Sequence, residues 1–215
     1  EKWVKELSGL SLKNVKVTAF SSNKKVAEEF GEMLFTHFGV SGPIILSLSR
    51  FVVPLLKDNI IKLEIDLKPA LTSEKLDERV KRDLNKYSKK QIKNSLQDLL
   101  PKALILPFIQ LTKIPMEKLC NQITRDERLV IVELLKHLPV TIVKSRPISE
   151  AIITSGGVNT NEIDPVTMES KLIKGLYFAG EVIDIDAFTG GYNLQAAFST
   201  GYVAGNAAAN QVWSL

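Results

Sequence analysis

The residues best suited to chemistry lie in two glycine-rich runs near the C-terminal end of the sequence. An apolar run at residues 176–179 ends in Gly180 and Glu181, and the pair Gly190 and Gly191 precedes a run of helical composition. Glycine at the end of a strand lets a ligand or another backbone approach closely, because it carries no Cβ. The carboxylate of Glu181 can accept hydrogen bonds from ligand hydroxyls. A helix that begins at a glycine pair presents unpaired N–H groups with partial positive charge.

The helix that follows the glycine pair has an unusually small surface. Eight small residues leave little side chain on it: Ala196, Ala197, Gly201, Ala204, Gly205, Ala207, Ala208 and Ala209. Such a helix can lie very close to a sheet or to a flat ligand. It is equally typical of a tightly packed core helix with no ligand, and the residues alone leave both interpretations open.

No other group of residues gives a comparable signal. His37 has no visible set of partners, and a histidine of this kind is more often structural than catalytic. Asp184 and Asp186 are two carboxylates without further ligands, so loop hydrogen bonding explains them better than a cation does. We therefore predict no metal site and assign no catalytic residue.

The composition favours an ordinary cytoplasmic protein. The single cysteine, Cys120, cannot form an internal disulfide, which fits a reducing compartment. The sequence has no apolar stretch long enough to span a membrane, and we expect no signal peptide. We predict no membrane partner.

Charge is distributed unevenly along the sequence. Residues 68–118 hold 12 Lys and Arg against 6 Asp and Glu, whereas residues 150–215 hold 2 against 7. A basic stretch can mark nucleic-acid binding. Here acidic residues are interleaved with the basic ones, and no aromatic platform accompanies them apart from Tyr87. A solvated helix face is the better interpretation, so we predict no nucleic-acid partner.

The pattern of apolar residues predicts an α+β protein. Alternating Val15, Val17 and Ala19 indicate a strand with one buried face, residues 44–51 a helix capped by Ser41, and residues 60–67 another strand. From residue 73 to 138 the period is helical, and a threonine-serine pair marks its start. Strand character returns after Pro139.

Four segments follow from these changes of period. We predict a β-rich part at residues 1–67, a helical subdomain at 68–138, a return strand at 139–150 and a C-terminal segment at 151–215. The C-terminal segment should contain short strands at residues 151–154 and 176–179, followed by a long helix after Gly191. The first of these strands leads into the pair Gly156 and Gly157.

Long contiguous motifs resemble those of the BaiN/YhiN flavoproteins, an aminoacetone oxidase-like group of NAD(P)/FAD-dependent oxidoreductases. The motifs stand at residues 31–43, 154–158, 167–171, 175–181 and 189–195. The similarity covers essentially the whole chain. It implies a β-barrel-like inserted domain with a helical subdomain, followed by the C-terminal strand and helix of a Rossmann-like FAD-binding domain.

The resemblance also implies where the flavin would lie. Gly180 and Glu181 would sit at the ribityl chain, and Gly156 and Gly157 would lie close to the flavin, where a side chain would clash. The start of the last helix would lie at the pyrimidine edge of the ring, with these residues: Gly190, Gly191, Tyr192, Asn193 and Leu194.

One departure from that family is large. Its first strand carries a G-x-G-x-x-G phosphate turn, and no two of the twelve glycines here are two positions apart. We therefore expect that this chain lacks the N-terminal FAD-binding segment. Alone, the chain should bind FAD weakly or not at all, and it should self-associate through its exposed C-terminal segment.

Two functions remain open at this stage. The full-length protein would be an FAD-dependent oxidoreductase that transfers hydride or electrons between a nicotinamide cofactor, NAD(P)H, and a small organic substrate. The alternative is a catalytically silent binding or interaction module. Flavin absorbance in the purified protein distinguishes the two.

Overall fold

The computed structural model describes residues 1–212 and divides the chain into two compact units, Glu1–Ser145 and Arg146–Leu215. The last three residues of the predicted C-terminal segment lie outside the described residues. Within the described residues, no helix combines the length and the apolar character that crossing a membrane requires.

The first unit is built on one curled antiparallel sheet. Its five strands have the order β3-β2-β1-β4-β5, and their bounds are Ser11–Ser21 (β1), Lys24–Thr36 (β2), Gly39–Ser41 (β3), Ile61–Asp66 (β4) and Leu138–Ile142 (β5). Register shifts interrupt the pairing of β1 with β2 at two places. Bulges of this kind increase the twist of a sheet and help it to curl.

Helices flank and interrupt this sheet. They are Lys2–Glu6 (α1), Pro43–Val52 (α2), Ser73–Lys86 (α3), Lys102–Thr112 (α4) and Arg125–Lys136 (α5), with α3 to α5 lying between β4 and β5 in the chain. Short 3-10 helices fill the connections at Val53–Lys57, Ile92–Asn94, Leu96–Asp98 and Cys120–Gln122. The predicted α+β class, a barrel-like sheet with helices, is confirmed.

The core of the first unit follows the predicted alternation. Val15, Val17 and Ala19 are buried in β1, as the sequence indicated. The helical part is held mainly by fully buried aliphatic and aromatic side chains, which include Leu76, Val80, Leu104, Phe108 and Ile131. Helix propensity alone would not hold α3 to α5 in place. Their position depends on the free energy gained by burying apolar area.

Two helix starts were predicted with different success. Thr72 caps α3, and its side chain accepts a hydrogen bond from the Lys75 amide. The predicted cap of α2 by Ser41 is wrong, because Ser41 belongs to β3 and Gly42 occupies the cap position. Gly42 has φ 98°, and a Cβ there would come within 2.9 Å of the Met33 Cα atom. The turn therefore requires glycine for both its dihedral angle and its close approach to β2.

The second unit has little regular structure apart from one helix. It contains 3-10 helices at Ile148–Glu150, Thr160–Glu162 and Gly180–Val182, and the helix α6, Tyr192–Val212, which begins after Gly191 as predicted. The strands predicted at residues 151–154 and 176–179 are wrong. Residues 151–154 form no strand, and Tyr177 makes only an isolated bridge with Glu169. The described part of this unit offers these runs no continuous neighbouring strand, so no ladder extends along them.

Candidate functional site

The centre of the candidate site is a close approach between Gly157 and the segment that contains Val182. A Cβ atom on Gly157 would lie 2.4 Å from the Val182 carbonyl oxygen and 2.9 Å from the Asp184 nitrogen. The Val158 amide donates to the Val182 carbonyl at 2.8 Å, and the Asp184 amide donates to the Val158 carbonyl at 3.0 Å. These two bonds form a parallel bridge that only a residue without a side chain at position 157 permits.

Glu181 holds the loop that leads into this bridge. Its Oε1 atom accepts hydrogen bonds from the Thr154 amide at 2.6 Å and from the Thr154 hydroxyl at 2.8 Å. The Thr154 amide, followed by the hydroxyl, lowers the pKa of Glu181 and favours its charged form. Both bonds end on one oxygen, so the carboxylate retains acceptor capacity on Oε2 for a ligand hydroxyl.

Gly180 is tied to α6 through Thr200. The Gly180 amide donates to the Thr200 hydroxyl oxygen at 3.0 Å, and that hydroxyl donates to the Ala196 carbonyl at 2.7 Å. The Thr200 hydroxyl therefore bonds both to its own helix and to the Gly180–Val182 turn. This contact fixes α6 against the Gly180–Val182 turn.

The start of α6 is arranged by a glycine pair and an asparagine. Gly190 and Gly191 have φ angles of 130° and 87°, which L side chains rarely adopt. Asn193 accepts from the Ala187 amide at 2.8 Å and donates to the Ala187 carbonyl at 2.9 Å. Its side chain thus closes the preceding loop instead of capping the helix, and Tyr192 lies largely exposed beside it.

The predicted residues fall into two groups. Gly156, Gly157, Gly180 and Glu181 are brought together by the bridge and by the bonds to Thr154. The second group comprises the residues at the helix start, Gly190, Gly191, Tyr192, Asn193 and Leu194. From Thr200 back to Tyr192 is eight residues, or about 12 Å along the helix axis. The two groups are therefore connected through the first turns of α6, and their role in cofactor binding stays a prediction.

Thr154 and Thr200 are positioning residues that the sequence did not reveal. Thr154 stands in a motif used for the family resemblance, and nothing in its spacing indicated a bond to a residue 27 positions away. Thr200 lies within an alanine-rich run of α6, where a hydroxyl usually bonds back to its own helix. Long-range hydrogen bonds of this kind have no periodic signal in sequence.

One face of α6 is apolar and exposed. Leu194, Phe198 and Tyr202 recur every four residues, and their exposed fractions are 64%, 70% and 75%. Residues four apart share one face of a helix. We call these three residues the α6 stripe; contiguous apolar surface of this kind usually marks an interface.

No cluster of three or more histidine, cysteine or acidic side chains within residues 1–212 is arranged to hold a metal ion. Arg128, Lys118 and Lys136 all pair with carboxylates in the helical part of the first unit. These charged pairs are structural contacts between elements of the first unit.

The curled sheet with its helical insertion defines a known class of domain. Residues 1–153 match the HI0933-like protein barrel and H2TH domain, and the chain belongs to this family. The family is of the flavoprotein oxidoreductase type. The match covers the first unit and the beginning of the second.

Three relatives extend the similarity into the C-terminal region. The chain is 31% identical over 199 residues to a 3-dehydro-bile acid delta(4,6)-reductase of Clostridium scindens, with 92% of this chain and 49% of the relative covered. It is 34% identical over 202 residues to a ribosomal RNA dihydrouridine synthase of Haemophilus influenzae, covering 94% and 47%. It is 33% identical over 198 residues to the enzyme of the same name from Escherichia coli, covering 91% and 46%. The chain spans about half the length of these relatives.

The close approach at Gly157 gives a first test. Gly157→Ala should break the bridge, because its Cβ collides with backbone that has no room to move. Amide hydrogen exchange at Val158 and Asp184 should accelerate by roughly tenfold or more.

Gly156→Ala is the matched control, because Gly156 also has a positive φ of 98° but has no atom within 4 Å of its Cβ position. It should accelerate exchange at the two bridge amides less than Gly157→Ala does. Equal exchange rates in the two variants would show that backbone strain, and not the collision, governs this position.

The bonds from Thr154 to Glu181 give a second test. A carboxylate with a lowered pKa contributes stability above its unfolded pKa and loses that contribution as the pH falls through the folded pKa. The Thr154 loop should therefore stay attached above the ordinary pKa of a glutamate, about 4.3, and detach as the pH falls through the lowered pKa of Glu181. Thr154→Val removes the hydroxyl donor, so the pKa of Glu181 should rise toward its ordinary value in an NMR titration of the side-chain carboxyl carbon.

Thr160→Val is the control for this titration. Thr160 lies in the same unit and makes no hydrogen bond to Glu181. Its substitution should leave the titration of Glu181 unchanged. A Thr154→Val protein whose Glu181 titrates as in the wild type would contradict the assigned cause.

Proposed function

We propose that the chain is part of a cytoplasmic FAD-dependent reductase of BaiN/YhiN type, with residues 151–215 as the C-terminal part of its FAD-binding domain. The single observation that carries the proposal is the glycine-lined backbone surface of the second unit. Gly156, Gly180 and Gly191 have positive φ angles and no atom within 4 Å of their Cβ positions. A flat ring could approach the backbone at all three places, so these residues fit a flavin.

The names of the relatives support one class of reaction. A delta(4,6)-reductase saturates carbon–carbon double bonds, and a dihydrouridine synthase saturates the C5–C6 bond of uridine. In uridine, as in a 3-dehydro steroid with a delta-4 double bond, the double bond is conjugated to a carbonyl group. We infer that this protein also reduces a carbon–carbon double bond conjugated to a carbonyl.

Such a reduction adds hydride to the carbon farther from the carbonyl and a proton to the nearer carbon. When bound and reduced, the flavin would supply the hydride, with NAD(P)H as the source of its electrons. Solvent or an acid would supply the proton.

Roles for the chain follow from the two groups of residues. Glu181 would accept hydrogen bonds from ribityl hydroxyls with Oε2 while Thr154 holds Oε1. The first-turn amides of α6, near Gly191 and Asn193, would place partial positive charge at the pyrimidine edge of the ring, where negative charge develops on reduction. Gly157 would let the segment that contains Val182 lie close beneath this surface.

A second candidate function is supported by the α6 stripe. Only Ile163, Ile183 and Ala204 are buried apolar residues among those described in the second unit. A unit with so small a core and an exposed apolar stripe could serve as a binding module without catalysis. We propose that the stripe lets this chain self-associate when nothing covers it.

The test uses the full-length gene product. We expect a yellow protein with flavin absorbance that, with NAD(P)H, reduces a small cyclic enone, whereas the 215-residue chain alone should bind FAD weakly. Glu181→Ala should raise the Kd for FAD roughly tenfold to a hundredfold, because hydrogen bonds to a charged group contribute about 1.5–3 kcal/mol.

Two further variants separate a direct role of Glu181 from a structural one. Glu162→Ala, which removes an exposed carboxylate of the same unit, should keep the wild-type FAD affinity. Thr154→Val removes the hydroxyl bond to Glu181 but leaves the backbone amide bond and the carboxylate, so it should lose less affinity than Glu181→Ala. A colourless full-length protein without enone reductase activity would refute the redox function and favour the binding module.

A further inference from the structure

Positive charge is concentrated in the first unit. This unit contains 25 Lys and Arg against 17 Asp and Glu, a net charge of +8, whereas the second unit carries 3 against 7, a net charge of −4. Within the first unit, residues 79–118 hold ten basic side chains and three acidic ones. An excess of this size within forty residues attracts polyanions.

The acidic and basic side chains of α3 are distributed unevenly along the helix. Glu74, Asp77 and Glu78 lie in the first turns of α3 and line an open groove together with Glu133 of α5. Apart from Lys75, the basic residues lie from Arg79 onward and in the loop after α3, and Asp83 pairs with Arg79 and Arg82. Because α3 has 14 residues, its acidic and basic ends are roughly 20 Å apart along its axis.

A second segment adds to the basic end. The Cys120 amide donates to the Lys90 carbonyl, and the Ile92 amide donates to the Lys118 carbonyl, both at 2.9 Å. These bonds bring residues 118–120 beside residues 90–92. We call the resulting area the Tyr87 surface, and it comprises Lys86, Tyr87, Lys89, Lys90, Lys93 and Lys118. Lys93 and Lys118 pair with Glu117 and Glu127, so these two lysines add little net positive charge.

Tyr87 orders the lysines around it. The Nζ atoms of Lys86 and Lys90 lie 4.8 Å and 4.7 Å from the centre of its ring, within the range of cation–π attraction. Its hydroxyl donates to Asp98 at 2.9 Å, and the Lys86 ammonium donates to the same carboxylate oxygen at 2.7 Å. Asp98 neutralises Lys86 and fixes the ring.

Lys89 and Lys90 retain their charge for a ligand. Both are exposed, and in the part of the chain that the structure describes neither forms an ion pair with a carboxylate. The surface thus offers ammonium groups to phosphates, and the Tyr87 ring, which lies under the Nζ atoms of Lys86 and Lys90, holds these cations in place.

We propose that the Tyr87 surface binds the phosphate backbone of a structured RNA, and that this RNA carries the uridine that the protein reduces. The second clause rests on the proposed function, and two of the three relatives are named as ribosomal RNA enzymes. The proposal departs from the prediction of no nucleic-acid partner, because the structure leaves Lys89 and Lys90 exposed and, among the described residues, without a carboxylate partner. The acidic groove at the other end of α3 repels phosphate and directs the RNA to the Tyr87 surface.

The test is binding of a fluorescein-labelled RNA stem-loop to the 215-residue chain without flavin, followed by fluorescence anisotropy. Lys89→Glu/Lys90→Glu should weaken binding roughly tenfold or more at moderate salt and reduce the slope of log Kd against log[KCl] by about 1 to 2. Lys89→Ala/Lys90→Ala should give an intermediate loss. Circular dichroism should show wild-type melting for both, because the side chains are exposed.

Lys2→Glu/Lys5→Glu is the matched control. It makes the same change of net charge at two exposed lysines of α1. It should lose much less affinity than the reversal at positions 89 and 90. Equal losses would show diffuse attraction to net charge and overturn the proposal, as would a wild-type chain that does not bind the stem-loop.

The full-length protein separates this proposal from the proposed function. Lys89→Glu/Lys90→Glu should keep flavin absorbance and enone reduction while it loses RNA binding. A full-length protein that lacks flavin but binds RNA at this surface would refute the redox function and retain the RNA surface. Tighter binding of an acidic peptide than of the stem-loop would overturn the RNA assignment.

Discussion

The pairing of β4 with β5 is the constraint on which the first unit depends. Ile61 pairs with Ile142 and Ile65 with Leu138, so the chain between these strands must leave the sheet and return to an adjacent position. The Leu67 amide donates to the Leu135 carbonyl at 2.9 Å, directly beyond the last pair. Both ends of the helical insert are therefore anchored at the same end of the β4–β5 pairing.

A nearly buried ion pair joins the two ends of the helical insert. Lys136 lies 2.6 Å from Asp66, and its ammonium also donates to the Leu71 carbonyl at 2.8 Å. Removing one member would leave an uncompensated buried charge, which is far more destabilising than replacing both. Arg128 then joins α5 to Asp77 of α3 through two hydrogen bonds. These contacts give the Tyr87 surface a defined place on the first unit.

The second unit follows a different principle. It has few buried apolar side chains, and its order depends on backbone contacts that glycine permits and threonine completes. The bridge at Gly157, the Thr154 bonds to Glu181 and the Thr200 bond to Gly180 position an exposed backbone surface and bury little side chain. Such a surface suits a ligand whose ring and hydroxyls contact main-chain atoms.

Periodic features of the fold could be predicted from the sequence. The alternation in β1, the limits of α2 to within one residue, the Thr72 cap and the start of α6 all follow from spacing or cap chemistry. Pro107 lies buried inside α4, although proline is usually found at the boundaries of helices. Burial of its neighbours against the core offsets the one hydrogen bond that it removes.

Other features depend on contacts that no local pattern records. The apolar runs at residues 151–154 and 176–179 have strand composition, but a strand needs a neighbour, and the described second unit provides only isolated bridges. Glycine residues of the candidate site could be found because a missing side chain leaves a signal in sequence. Thr154, Thr200 and the cluster of lysines around Tyr87 could not, because tertiary folding brings them to their partners.

Hydrogen exchange of the full-length protein, measured with and without FAD, tests the central claim most directly. That claim is that the glycine-lined surface of the second unit is the part of this chain that contacts the flavin. FAD should slow exchange in peptides covering residues 154–158 and 180–195, while α3 to α5 should exchange as before. Protection confined to the first unit, with residues 180–195 unchanged, would contradict the account.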